Sequence, residues 1–146
     1  MIIYNKHIVK IIIINGPNLN LIGKREVEIY GKIDFNDYLK FIISKYKNFQ
    51  VDYFQSNIEG EIINKIHESN GNCDAILINA GGYSHYSVAI LDALKSTKIK
   101  KIEIHISNIY SREYFRSKSI LSSACDSVIC GFGLKSYELA IKSLSI

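Results

Sequence analysis

Short apolar runs alternating with amphipathic helical patterns constrain this chain more than any other feature. The first run, Ile11–Ile14, is wholly β-branched, which suits a strand buried on both faces of a parallel sheet. Val51–Gln55, Ala75–Ile78, Lys101–Ile106 and Ser127–Cys130 read as further strands, and the run at 101–106 alternates apolar with polar residues. Between them, Phe35, Tyr38, Leu39, Ile42, Tyr46 and Phe49 recur at helical steps and predict a helix from about Asp34 to Lys47. Ser56 followed by Glu59 matches a capping box, opening a helix with Ile58, Ile62, Ile63 and Ile66 on one side. A helix from about Ser87 to Ser96 carries Val88, Ile90, Leu91 and Leu94, and Leu134, Tyr137, Ile141 and Leu144 line a closing helix.

Strands and helices alternating at this spacing form βαβ units. They predict an α/β fold, a flavodoxin-like three-layer sandwich with a five-stranded parallel sheet in the order 2-1-3-4-5. The 146 residues contain no repeats, low-complexity tracts or linkers, so a single domain over residues 1–146 is expected. Open sheets of this kind bind ligands at the carboxyl ends of their strands. Asn15–Asn18, Gln55–Asn57, Asn79–His85 and His105–Arg116 all follow such ends, which gathers the polar clusters at one rim.

Composition removes several classes of function. A hydrophobic content of 47% with 22% charge belongs to a globular protein rather than a disordered one. No apolar run approaches the roughly 18 residues of a membrane span. The first ten residues lack the pattern of a secretory signal and read as a lead-in to the first strand. Three cysteines, Cys73, Cys125 and Cys130, are an odd number without CxxC spacing, so neither disulfides nor a zinc site is expected. Small buried hydrophobes in a reducing, cytoplasmic setting fit them better. A formal charge of +4 is modest. Its densest cluster, Lys98, Lys100 and Lys101, has no interleaved aromatics, so it reads as a solvated strand approach and not a nucleic-acid footprint. No GxGxxG or Walker loop follows a strand, and no cofactor, metal or membrane partner is expected.

Asn15-Gly16-Pro17-Asn18 is a turn-forming cluster holding the single proline. The segment from there to Gly31 has no clean period, and Gly23 and Gly31 bracket its most polar part. Residues 19–31 are a candidate lid, though composition leaves a lid and an ordinary surface loop equally open. Tyr30 is a poor base unless a cation stabilises its phenolate, and Arg25 is close enough to do so if the lid folds over the rim. Glu103 and His105 point to one face of their strand, where the carboxylate would hold an imidazolium or fix a tautomer. Arg112 and Arg116 share a face if a short helix forms at 111–116; surface arginines paired with Glu113 are the alternative. Ser84-His85 lacks the GxSxG surroundings of a hydrolase nucleophile.

Asn15–Asn20, followed by Arg25-Glu26-x-Glu28-Ile29-Tyr30-Gly31, closely resembles the signature of type II 3-dehydroquinate dehydratases. These are cofactor-free enzymes of the shikimate and quinate pathways. Asn79-x-Gly81-x-x-x-His85 and Ser107-Asn108-Ile109-x-x-Arg112-Glu113-x-Phe115-Arg116 match two further blocks, so the resemblance runs from about Ile11 to Leu144. It implies Tyr30 as general base, with Arg25 lowering its pKa, and His105 as general acid. It implies that Asn18, through a water, steadies enolate charge. Ile106 and Ser107 would hold the substrate carboxylate, while Asn79 and His85 would bind its hydroxyls. Gly81 and Gly82 would let the backbone come close, and Arg116 takes the place of the substrate-binding arginine. Asp92 would reach into a neighbouring subunit's site, in a dodecamer of four trimers. Val27 stands where proline is usual, a change expected to loosen the lid, and Tyr110 where histidine is common. The segment Ser122–Asp126 also diverges. A flavin or phosphate module and a receiver-like domain would explain the fold, but neither explains the three blocks. The first would want a denser Ser/Thr/Gly cradle, the second acidic residues where Asn15 and Asn79 stand.

Overall fold

The computed structural model describes residues 8–145, the side chain of Tyr30 excepted. Among the described residues, one parallel sheet holds β1 (Val9–Asn15), β2 (Phe49–Gln55), β3 (Ala75–Asn79), β4 (Lys100–His105) and β5 (Ser127–Cys130). The order is β2-β1-β3-β4-β5, as the alternation predicts. The helices are α1 (Val27–Tyr30), α2 (Phe35–Lys45), α3 (Glu59–Ser69), α4 (Val88–Ser96) and α5 (Lys135–Ser143). Val9 and Lys10 already belong to β1 and Ile8 is exposed just before it; residues 1–7 of the expected lead-in lie outside the described residues. No helix among the described residues is long and apolar enough to cross a membrane.

The run Ile11–Ile14 explains the three layers. Ile11 and Ile13, with Ala75 and Leu77, pack against Phe35 and Ile42 of α2 and Tyr137 and Ile141 of α5. Ile12 and Ile14, with Ile76 and Ile78, pack against Ile62 and Ile66 of α3 and Ile90 and Leu94 of α4. Each isoleucine or leucine among them contributes about 1.5–3 kcal/mol by leaving water. Asn15 pairs in register with Gln55 on one side and Asn79 on the other, so three strands end level. That puts the polar ends on one rim.

Several local readings are corrected. α2 is capped by Asp34, whose side chain accepts from Asn36 N at 2.8 Å, but Tyr46 leaves helical geometry. Phe49 therefore opens β2 instead of continuing the helical row, while its ring stays 6.4 Å from that of Tyr46. The capping box does not form: Ile58 is the N-cap of α3, and Ser56, two residues before it, accepts from Ile58 N and donates to Glu61. Glu59 instead accepts from Ser87 Oγ, tying α3 to the start of α4. Ile58 and Val88 sit at the helix entrances and are exposed.

β4 does not alternate in burial. α5 covers one face and the turn Leu121–Ala124 the other, so every residue from Lys101 to His105 is buried. Lys101 is not solvated: its Nζ donates to the carbonyls of Thr97 at 2.9 Å and Ile99 at 3.1 Å, at the carboxyl end of α4 where a cation is favoured. Residues 111–116 form no single helix. Two 3-10 turns, Ile109–Ser111 and Tyr114–Arg116, are separated by extended backbone at Arg112 and Glu113. The cysteines are half-buried, and burial, aided by the Glu103 charge, pushes the Cys125 thiol up to about 12. The loop from 19 is pinned at its start by buried Leu19 and Ile22, and only from Lys24 to Ile33 is it mostly exposed.

Candidate active site

The level strand ends open onto a cleft of about 160 Å³. Asn18, Arg25, Asn79, Gly81, Gly82, His85, His105, Ile106, Ser107, Arg112 and Arg116 all line it. Glu103 lies fully buried directly behind His105. Asp92 is exposed on α4 and does not reach this cleft. The backbone of Tyr30 closes α1, and its side chain lies outside the described residues.

The floor is built where the loops after β1 and β3 touch. A Cβ on Gly16 would stand 2.4 Å from the carbonyl oxygen of Ala80, and one on Gly81 would stand 3.1 Å from that of Pro17. The absence of side chains there serves loop-to-loop packing, whereas Gly82 faces open space. Beneath runs a buried chain of polar groups. Tyr137 Oη donates to Asn15 Oδ1 at 2.7 Å and accepts from Asn79 Nδ2 at 3.0 Å. Asn79 Oδ1 in turn accepts from Gly81 N at 3.3 Å. Both ends of the Asn79 amide are thus oriented. Burial also pushes the Tyr137 hydroxyl far above its usual range, so it stays protonated.

On the β4 side, His105 Nε2 lies 2.7 Å from Glu103 Oε1. Ser119 Oγ donates to the same carboxylate oxygen and Ser122 Oγ to the other. Burial alone would raise the Glu103 carboxyl, but the bonds from His105, its charge, and the two hydroxyls hold it below the usual carboxylate range. The ring of His85 stacks on that of His105, centroids 6.4 Å apart and planes 21° off parallel. His85 Nδ1 is 2.7 Å from the Lys118 carbonyl, to which it donates, so the neutral ring keeps Nε2 as an acceptor.

Three arginines give the cleft its charge. Arg112 donates to Ser107 Oγ at 3.3 Å, and both Arg112 and Arg116 approach Glu113. Arg25 stands on the exposed loop 3.0 Å from Glu26, itself a lining residue. Asn18 holds a left-handed backbone, φ 66°, with its N–H on Asn57 Oδ1 at 2.9 Å. A polar, cationic recess with a buried histidine–carboxylate pair suits proton transfer on a small anion.

A family model described as dehydroquinase class II matches residues 9–145. The chain belongs to that family. It is 54% identical over 138 residues to the 3-dehydroquinate dehydratase of Caldicellulosiruptor bescii, covering 92% of this chain and 95% of that one. The type II dehydroquinase structure from Butyrivibrio crossotus superposes with a TM-score of 0.89 at 50% identity, covering 94% and 98% of the two chains. That from Propionibacterium acnes gives 0.89 at 38% identity, with 93% and 95% covered. In this class II dehydroquinase chain, sequence reasoning missed the apolar lining by Pro17, Leu19, Leu21, Ile22 and Ile109, and the lining carboxylate of Glu26. It missed Ser119 and Ser122 as well, since no spacing ties them to Glu103. The tyrosine on the core-facing row of α5 did carry a signal, because a buried hydroxyl must find a partner.

Proposed function

We propose that this chain dehydrates 3-dehydroquinate to 3-dehydroshikimate, as a hydro-lyase working through an enolate and using its own side chains. The observation that carries the reading is the buried Glu103–His105 pair opening onto a cleft lined by Arg25, Arg112 and Arg116. Tyr30 removes a proton from the carbon next to the ketone, leaving an enolate. A tyrosine titrates near 10 in model peptides, so the step needs Arg25 beside the phenolate. Arg25 would exchange Glu26 for Tyr30 as the exposed loop closes. Asn18, through a water, steadies the enolate oxygen. The enolate then collapses, the carbon–hydroxyl bond breaks, and His105 gives the departing oxygen its proton, releasing water. General acid and base each contribute about 10²–10⁴-fold, and positioning supplies much of the rest.

Ile106 and Ser107 hold the substrate carboxylate, while Asn79, His85 and Arg116 hold its hydroxyls. Gly82, with open space before it, admits the ligand to the backbone. Residues 1–146 act as one catalytic domain, in the cytoplasm, with the exposed part of residues 19–31 as its lid. Asp92, exposed and away from its own cleft, serves a neighbouring copy in a homo-oligomer of four trimers.

Ultraviolet absorbance after adding 3-dehydroquinate to the purified protein tests the reading, since the conjugated enone product absorbs. Product from wild type and almost none from Tyr30→Phe or His105→Ala is expected. Activity kept by Tyr30→Phe overturns the assignment of the base, and no product from wild type at any concentration overturns the reaction.

A further inference from the structure

Glu103 is fully buried, and a buried carboxylate needs donors on both oxygens to stay ionised. His105 Nε2 supplies Oε1 alone. The remaining donors come from the segment after the cleft's arginines, where Ser119 Oγ meets Oε1 and Ser122 Oγ meets Oε2. Ser119 Oγ accepts from Leu121 N at 3.2 Å, and its single proton has the Ser84 carbonyl at 3.2 Å as a second acceptor but meets the carboxylate at a much shorter distance. The other charged or titratable groups nearby do not replace the serines. Lys101, two residues back on β4, turns its Nζ to the Thr97 and Ile99 carbonyls. Cys125, on the packed turn, is held neutral by its burial. His85 faces the ring of His105 and not the carboxylate.

We propose that Ser119 and Ser122 are positioning residues for the dehydration: both hydroxyls donate to Glu103, so its carboxylate can only accept, and His105 is locked with its proton on Nε2. Neutral His105 then has one tautomer, with Nδ1 as the nitrogen that gains and gives the proton in the cleft. With the serines removed, the buried carboxyl gains a proton readily. It can then donate to His105 Nε2, which reverses the tautomer and leaves on Nδ1 only the proton of a neutral imidazole, a far weaker acid towards the leaving hydroxyl than the imidazolium. The inference rests on the proposed dehydratase reading, which wild-type turnover tests separately.

The experiment measures kcat and KM for 3-dehydroquinate in wild type, Ser122→Ala and Ser119→Ala/Ser122→Ala. ¹⁵N-histidine spectra of the same proteins, with His105→Gln as the assignment control, report the tautomer. Expected is a fall of about tenfold or more in kcat for the double variant, with KM little changed. A smaller fall is expected for the single variant. The His105 signal should pass from Nε2-protonated to a mixture. If only the single variant folds, its spectrum decides. An unchanged tautomer in a folded variant overturns the inference whatever happens to kcat, as does a KM increase with kcat intact.

Discussion

His105 Nε2 lies 2.7 Å from Glu103 Oε1, and both side chains are buried where β4 ends. The pair shares one face of a strand whose two faces are both covered, with Glu103 fully buried and His105 at the cleft wall. Its pH behaviour follows. The folded-state carboxyl of Glu103 lies below its usual 4.5, so folding binds the ionised form. The stability it contributes is present in full above about pH 4.5 and is lost as pH falls through the folded-state value. Glu103→Gln keeps the shape and removes that contribution. Denaturant midpoints of wild type and variant should differ most above about pH 4.5 and converge in acid. A gap that stays constant with pH would show the carboxyl to be unlinked to folding.

Tyr137→Phe deletes one hydroxyl that serves Asn15 and Asn79 together. Two buried amide groups lose a partner, which costs about 1–3 kcal/mol. Thermal denaturation should show the loss. With the Asn79 amide held only through Gly81 N, KM for 3-dehydroquinate should rise more than kcat falls.

Two glycines should answer differently to alanine. At Gly16 the added Cβ meets the backbone of Ala80, which cannot yield without shifting the loop after β3. Gly16→Ala should lose about 1–3 kcal/mol or more, together with most activity. At Gly31 there is open space, and only its φ of +86° resists a side chain. Gly31→Ala should cost about 1–2 kcal/mol, leave the cleft floor intact and change turnover through the lid. Circular dichroism melts beside steady-state kinetics separate the two.

Arg116 and Glu113 form an exposed pair at the cleft's edge. Arg116→Ala should raise KM about tenfold or more, the loss of one charge-assisted contact to an anion. Glu113→Gln frees the guanidinium and should lower KM, an effect that fades with added salt. A KM unmoved by both changes would place Arg116 outside the binding site.

Elements with a clean local period were legible in the sequence. β1 needed only Ile11–Ile14, because a strand apolar on both sides fits only between two layers. The boundaries were less legible. Phe49 fits the α2 row in spacing, and nothing local says that Tyr46 ends the helix. Of the cleft, eleven of the residues lining it were singled out in the sequence, yet the sequence does not say what holds them. Lys101 illustrates why: its partners are carbonyls at the end of α4, a meeting of two elements that no local pattern encodes.

By itself, then, the sequence determined the layer order, the strand order and the polar rim, since these follow from periodicity and from the chirality of βαβ crossovers. Only the tertiary structure decided that Tyr137 would join Asn15 to Asn79 across 122 and 58 residues of chain. It likewise decided that Ser119 and Ser122 would face Glu103. Burial and hydrogen-bond partnership depend on which distant element covers a residue, and packing sets that, not the neighbours in sequence.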